Sequence, residues 1–164
     1  ITKAHDKEEL IEGLRLAAEH DSKIVVEQGI VGREIECAVL GNRDHVEASC
    51  VGEIFAAAEF YDYDAKYNNS DSKTVVPAEI SKEKEDEIRK IAVKVFKAVD
   101  GSGLARVDFF VEKDTENVIF NELNTLPGFT PISMYSMLWA ACGKPMNVLL
   151  DELIDLALER FGIK

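Results

Sequence analysis

Four polar residues occupy alternate positions in two short apolar runs. Arg106 and Asp108 lie in residues 104–112, and Glu122 and Asn124 lie in residues 117–124. Successive side chains of an extended strand point to opposite faces, so Arg106 shares a face with Asp108 and Glu122 with Asn124. The intervening positions of the first run, Ala105, Val107, Phe109 and Val111, form an apolar face that belongs to a core. A three-residue turn at 114–116 pairs 113 with 117. That register sets Asp108 opposite Glu122 and Arg106 opposite Asn124, with Val118 and Phe120 on the same face as Glu122. Opposed carboxylates repel unless a cation lies between them. Hard oxygen donors gathered in this way suit Mg²⁺, which takes one or two carboxylates together with substrate phosphates. The plain alternative is a solvated sheet face on which Arg106 satisfies one carboxylate. A one-residue change in the turn would also break the pairing.

The hairpin runs into Asn124-Thr-Leu-Pro-Gly-Phe-Thr-Pro-Ile-Ser133. Gly128 lets a ligand approach the backbone, and the free N–H groups of the following helix, with Ser133, form an anion pocket that a small carboxylate would fit. An ordinary strand-to-helix turn with Ser133 as cap is the alternative. The remaining elements frame this segment. A helix is predicted over 6–19, with Asp6 and Glu9 as a capping box, followed by strands at 23–27, 33–40 and 46–56, with Gly41-Asn42 as the turn. Residues 60–77 read as a long loop that starts with aromatics, a type that is usually functional. Ser81 caps a second helix with a core stripe of Ile88, Ile91, Ala92, Val95 and Val99. Two further helices span about 133–142, with Trp139 in packing, and from Pro145 to Gly162, with Leu149, Leu150, Leu153 and Ala157 inward. Strands and helices without regular βαβ alternation predict an α+β fold.

The chain has 164 residues, with 19 Lys+Arg against 31 Asp+Glu and a net charge of −12. A chain of this length buries a sizeable core without a staple. The charge leaves no basic surplus for DNA or RNA phosphates or for an anionic membrane surface. It leaves room for a nucleotide held through a divalent ion. No apolar run approaches the ~20 residues of a membrane span, and no signal peptide is recognisable. Cys37, Cys50 and Cys142 are odd in number and far apart in sequence, which predicts buried free thiols in a reducing cytoplasm rather than a disulfide or zinc framework. His5, His20 and His45 read as surface residues.

Taken with Glu27, Glu34, the segment Phe60-Tyr-Asp-Tyr-Asp-Ala-Lys-Tyr67, Arg106/Asp108 and the stretch 121–133, the sequence resembles the D-alanine–D-alanine ligases of the ATP-grasp superfamily over essentially its whole length. The resemblance implies the C-terminal part of an ATP-grasp fold, an antiparallel sheet flanked by helices. Residues 1–31 would close the central subdomain. Residues 32–164 would form the C-terminal domain, with a mobile loop at 60–77 and a metal-binding hairpin at 104–124. It further implies that Glu27 through Ile30 bind the adenine edge of ATP, that Glu34 holds the ribose hydroxyls and that Phe60 packs near the base. Lys66 would reach the ATP phosphates, and Tyr67 would help latch the loop. Arg106 and the Gly128 amide would stabilise the oxyanion, and Ser133 would bind the carboxylate of the second D-alanine. Asp108, Glu122 and Asn124 would hold two Mg²⁺ ions (Mn²⁺ being an alternative), with Glu122 bridging both. The implied reaction phosphorylates one D-alanine on its carboxylate, and the amine of the second then attacks the acyl phosphate. The implied setting is cytoplasmic peptidoglycan synthesis by a homodimer, with no nucleic-acid or membrane partner.

Departures from the family temper this reading. The family enzyme is about twice this length, and its N-terminal domain, phosphate-side lysines and Gly-rich loop have no counterpart here. The isolated chain is therefore expected to keep the metal hairpin and part of the nucleotide pocket without ligating. Tyr67 after Ala-Lys favours the dipeptide-forming type, while the loop and Met134 leave D-Ala–D-Ser and D-Ala–D-lactate ligases open. Another ATP-grasp carboxylate–amine or carboxylate–thiol ligase would keep only the metal hairpin. A non-catalytic acidic binding domain would show no tight Mg²⁺–nucleotide binding.

Overall fold

The computed structural model describes residues 1–55 and 73–163. The chain divides into two compact units, residues 1–31 and 32–164. In the first, helix α1 spans Lys7–Ala18, and Asp6 caps it by accepting the Glu9 N–H at 2.8 Å. Glu9 returns its carboxylate to the His5 N–H at 2.7 Å, one residue earlier than a capping box requires. Residues 23–27, expected as a strand, carry none. A strand exists as a member of a ladder, and the described residues of this unit offer no partner. Val25 and Val26 stand exposed as a result.

The second unit is built on one five-stranded antiparallel sheet in the order β3-β2-β1-β4-β5. Its strands are β1 (Gly32–Asn42), β2 (His45–Phe55), β3 (Lys73–Val75), β4 (Ser102–Glu112) and β5 (Val118–Asn124), and its helices are α2 (Lys82–Ala98), α3 (Met134–Ala141) and α4 (Met146–Phe161). The α+β reading and the antiparallel sheet flanked by helices hold. The β1–β2 turn falls two residues later than expected, on Arg43-Asp44, because Asn42 still pairs with His45. The Asn42 side chain explains the extension. Its amide donates to Leu156 O at 2.8 Å and to Glu159 at 2.9 Å, while its oxygen accepts the Ser102 hydroxyl and the Gly103 N–H. Three elements are thus tied at one residue.

Alternation along β1 and β4 divides the core between the two faces of the sheet. Ile35, Cys37 and Val39 join Ala105, Val107, Phe109 and Val111 under α2, which contributes Ile88, Ala92 and Phe96. The spacing of four residues makes Phe96 the third member of that stripe, whereas Val99, expected there, lies past the helix end and is exposed. On the other face Ala38 and Leu40, with Leu104, lie beneath α3 and α4, which contribute Met134, Tyr135, Leu138, Trp139 and Leu149. Leu150, expected inward, is exposed. The approach of α3 is close enough that a Cβ on Gly52 would meet the Met134 sulfur at 2.7 Å, so a side chain there would have to displace Met134. No helix among the described residues is long and apolar enough to cross a membrane.

Candidate metal and phosphate site

The β4–β5 hairpin pairs Arg106 with Asn124 and Asp108 with Glu122, the register expected from the sequence, but it arrives there by another route. The Glu112 N–H donates to Asn117 O at 3.0 Å, so the turn holds four residues rather than three. A bulge at Asn121 then restores the pairing, since Asp108 faces Glu122 while Phe109 faces Phe120. The bulge also reverses the side chains before it. Val118 and Phe120, expected beside Glu122, turn instead to the α2 side, where Phe120 meets Phe109 edge-on at 6.3 Å. The polar face of β5 therefore begins at Glu122.

The geometry on that face is dense. Arg106 donates through Nε and a terminal nitrogen to the two oxygens of Asp108, each at 2.8 Å. The Asn124 amide nitrogen bridges Asp108 at 2.9 Å and Glu122 at 3.0 Å. The bidentate bond to Asp108 is the main cause that raises the Arg106 pKa, so the guanidinium is charged at every accessible pH. Asp108 is 9% exposed, and Glu122 is open to solvent.

One participant was not singled out from the sequence. Glu36 of β1 pairs directly with Asp108, so three carboxylates, Glu36, Asp108 and Glu122, stand in one row across three strands. Glu36 is 5% exposed, and its Oε2 lies 3.1 Å from Arg106 Nε without a hydrogen bond. Burial, with the Asp108 charge next, pushes its carboxyl up to about 7 against the pull of Arg106. The signal was present in the alternation of 33–40, which places Glu34 and Glu36 on one face. Glu34 lies two residues along that face, exposed and opposite Phe110.

This donor set can be tested against a divalent ion. Among the described residues, no group of three or more His, Cys, Asp or Glu side chains is disposed to hold a metal by itself. Mg²⁺ does not need such a cage, because it keeps waters and takes substrate phosphates alongside one or two carboxylates. A buried, unbonded carboxylate oxygen and a row of three carboxylates around one guanidinium match that requirement. Asp108 and Glu122 supply the one or two carboxylates that such an ion takes, with the Asn124 amide beside them.

The segment after β5 is held by its own side chains. Ser133 Oγ accepts the Thr130 N–H at 3.1 Å and lies 2.8 Å from the Thr130 hydroxyl. Ser133 makes no side-chain cap bond to α3, although it occupies the N-cap position. A Cβ on Gly128 would stand 3.0 Å from Ser133 Oγ, so these two expected residues are neighbours. Phe129 packs on Tyr135, whose hydroxyl donates to Val39 O at 3.1 Å and anchors the segment to β1. Glu27, exposed, and Ile30, half-buried, belong to the first unit. Phe60, Lys66 and Tyr67 lie outside the described residues.

Residues 1–155 match the family model described as D-ala D-ala ligase C-terminus. The chain is 56% identical over 162 residues to D-alanine--D-alanine ligase of Acetivibrio thermocellus, covering 99% of this chain and 43% of that protein. Among solved structures, VanG D-Ala:D-Ser ligase from Enterococcus faecalis is similar with a TM-score of 0.80 and 41% identity over 92% of this chain and 43% of its own. The D-alanine--D-alanine ligase from Bacillus anthracis complexed with ATP is similar with a TM-score of 0.77 and 33% identity, over 95% and 49%. The chain thus spans less than half the length of these relatives. With the model matched almost end to end and the fold shared, the chain belongs to the D-alanine–D-alanine ligase family, whose C-terminal, ATP-grasp part it represents.

Proposed function

We propose that this chain carries the metal-and-nucleotide end of an ATP-dependent ligase that joins two D-alanines through an acyl phosphate. The observation that carries the reading is the row Glu36–Asp108–Glu122 around a single Arg106, a surplus of carboxylates on a half-buried sheet face. Two Mg²⁺ ions held by Asp108, Glu122 and Asn124, with Mn²⁺ able to replace them, would neutralise the charge of the nucleotide phosphates. To meet an ion, Asn124 turns its amide oxygen toward the two carboxylates that its nitrogen now bridges. Arg106, charged throughout, then shifts part of its fork from Asp108 to the transferring phosphoryl group and the oxyanion. The Gly128 amide adds a second oxyanion donor, and Ser133 offers its hydroxyl to the carboxylate of the acceptor D-alanine.

The remaining roles complete the reading. Glu27 and Ile30 receive the adenine edge, Glu34 the ribose hydroxyls, and Phe60 stacks near the base. Lys66 reaches the phosphates, and Tyr67 latches the 60–77 segment. That closure excludes the water which would hydrolyse the acyl phosphate. Residues 1–31 belong to the central subdomain, residues 32–164 form the C-terminal domain, and the whole enzyme works in the cytoplasm as a homodimer supplying peptidoglycan precursor. Phosphate release by the full-length enzyme, measured with D-alanine alone and then with D-serine or D-lactate as second substrate, tests the reading. Release that needs D-alanine alone supports it. Release only with D-serine or D-lactate moves the protein to a depsipeptide or mixed-dipeptide ligase, and no amino-acid-dependent release refutes ligation.

A further inference from the structure

The thiols of Cys50 and Cys142, 92 positions apart in sequence, meet where the end of α3 lies over β2. The Cys50 N–H donates to Cys142 Sγ at 2.9 Å. The Leu138 carbonyl accepts from both residues, from the Cys50 thiol at 3.6 Å and from the Cys142 N–H at 3.2 Å. The expectation of three buried thiols fails here: Cys37 is buried, Cys50 is half-buried and Cys142 is exposed. Cys37 is no competitor, because it lies on the α2 face with its thiol directed at the Ala38 and Ser49 carbonyls. A disulfide asks for Cβ atoms about 3.8 Å apart. The amide of one cysteine already lies against the sulfur of the other.

We infer that Cys50 and Cys142 are a reversible redox pair that a small-molecule disulfide oxidises, stapling the C-terminal end of α3 to β2. Exposure makes Cys142 the attacking thiol. Its thiolate attacks one sulfur of the oxidant, breaks the S–S bond and releases the first thiolate, leaving a mixed disulfide. Burial and the bond to Cys142 push the Cys50 thiol up to about 12, so it acts second. Its proton passes to solvent, its sulfur displaces the second thiolate from Cys142, and the Cys50–Cys142 bond forms. Two protein thiols are oxidised and the oxidant is reduced to two thiols. This inference is independent of the proposed ligase reaction.

The test is incubation of the intact, natively folded protein with oxidised glutathione, followed by non-reducing peptide mass analysis. The expected product is a Cys50–Cys142 linked peptide that dithiothreitol reverses, together with loss of Cys142 alkylation by iodoacetamide. Cys50→Ser should stop at glutathione on Cys142, and Cys142→Ser should yield neither linkage. The wild type would overturn the pair by holding glutathione on Cys142 while Cys50 stays free, by leaving Cys142 unreacted, or by linking either residue to Cys37.

Discussion

Two bidentate arginine–carboxylate pairs sit on opposite faces of the same sheet, and their surroundings differ. On the α2 side, Arg33 donates to both oxygens of Glu53 at 2.7 and 2.6 Å and spends a further N–H on Glu79 O at 2.8 Å. One carboxylate takes both arms of the guanidinium there, and Glu79 and Glu116 add only a weaker attraction through space. On the other side, Arg106 grips Asp108 equally well, but Glu36 and Glu122 crowd the same acid from both flanking strands. The first arrangement is complete as it stands. The second carries negative charge that Arg106 alone does not balance among the described residues, and in part it answers by raising the Glu36 carboxyl to about 7. A balanced pair maintains the fold, whereas an overloaded one leaves charge with which a cationic ligand can pair.

The largest effects are expected at Asp108 and Glu122. Asp108→Asn or Glu122→Gln in the full-length enzyme should lower kcat/KM by roughly 10²–10³-fold and abolish Mg²⁺-dependent nucleotide binding, read by calorimetric titration, with thermal stability unchanged or higher. Arg33→Ala should do the reverse. It strands Glu53, whose side chain is 4% exposed, at a cost of about 2–3 kcal/mol, seen in denaturant unfolding, while nucleotide affinity stays constant.

Glu36 sharpens the contrast through pH. Its folded pKa of about 7 is raised above its ordinary 4.5. Protonation therefore supports the fold fully below about pH 4.5, and that support is lost as pH rises to about 7 and beyond. Glu36→Gln should remove this slope. The variant should exceed the parent by about 1–3 kcal/mol at pH 8 and match it at pH 4, as measured by urea unfolding at both values. Millimolar Mg²⁺ with nucleotide should narrow the gap, because the bound cation favours the ionised parent. The smallest effect belongs to Ser133→Ala, which should raise the KM for the acceptor D-alanine about tenfold, the size of one hydrogen bond to a charged group, and leave the KM for ATP alone.

How far these regions could be read from the sequence follows from the range of the interactions involved. Alternation in 104–112 and 33–40 separates the two faces, because the strand period is a local property. The sharing of one face by Arg106 and Asp108, and of one face by Glu122 and Asn124, follows from it. The Asn121 bulge does not, since an extra residue on one strand is visible only against its partner. Two errors, a turn one residue too short and a bulge left out, cancelled at Asp108 and left Phe120 on the wrong face. Alternation puts Glu36 on the correct face but not in the site, because nothing local identifies Asp108 as its neighbour on β4. The Cys50–Cys142 contact depends on how α3 lies across β2, and Gly52 is the residue that lets it lie so close. The residues 23–27 show the converse, a β-like composition without a partner strand among the described residues.

The claim that the overloaded face is a cation site for nucleotide phosphates is tested most directly by soaking Mn²⁺ and a non-hydrolysable ATP analogue into crystals of the full-length enzyme and recording anomalous scattering. The account predicts two metal peaks within about 2.0–2.3 Å of oxygens of Asp108, Glu122 and Asn124, with Arg106 drawn from Asp108 toward the phosphates. An Arg106–Asp108 fork left intact, with nucleotide bound and no metal at those three residues, would contradict it.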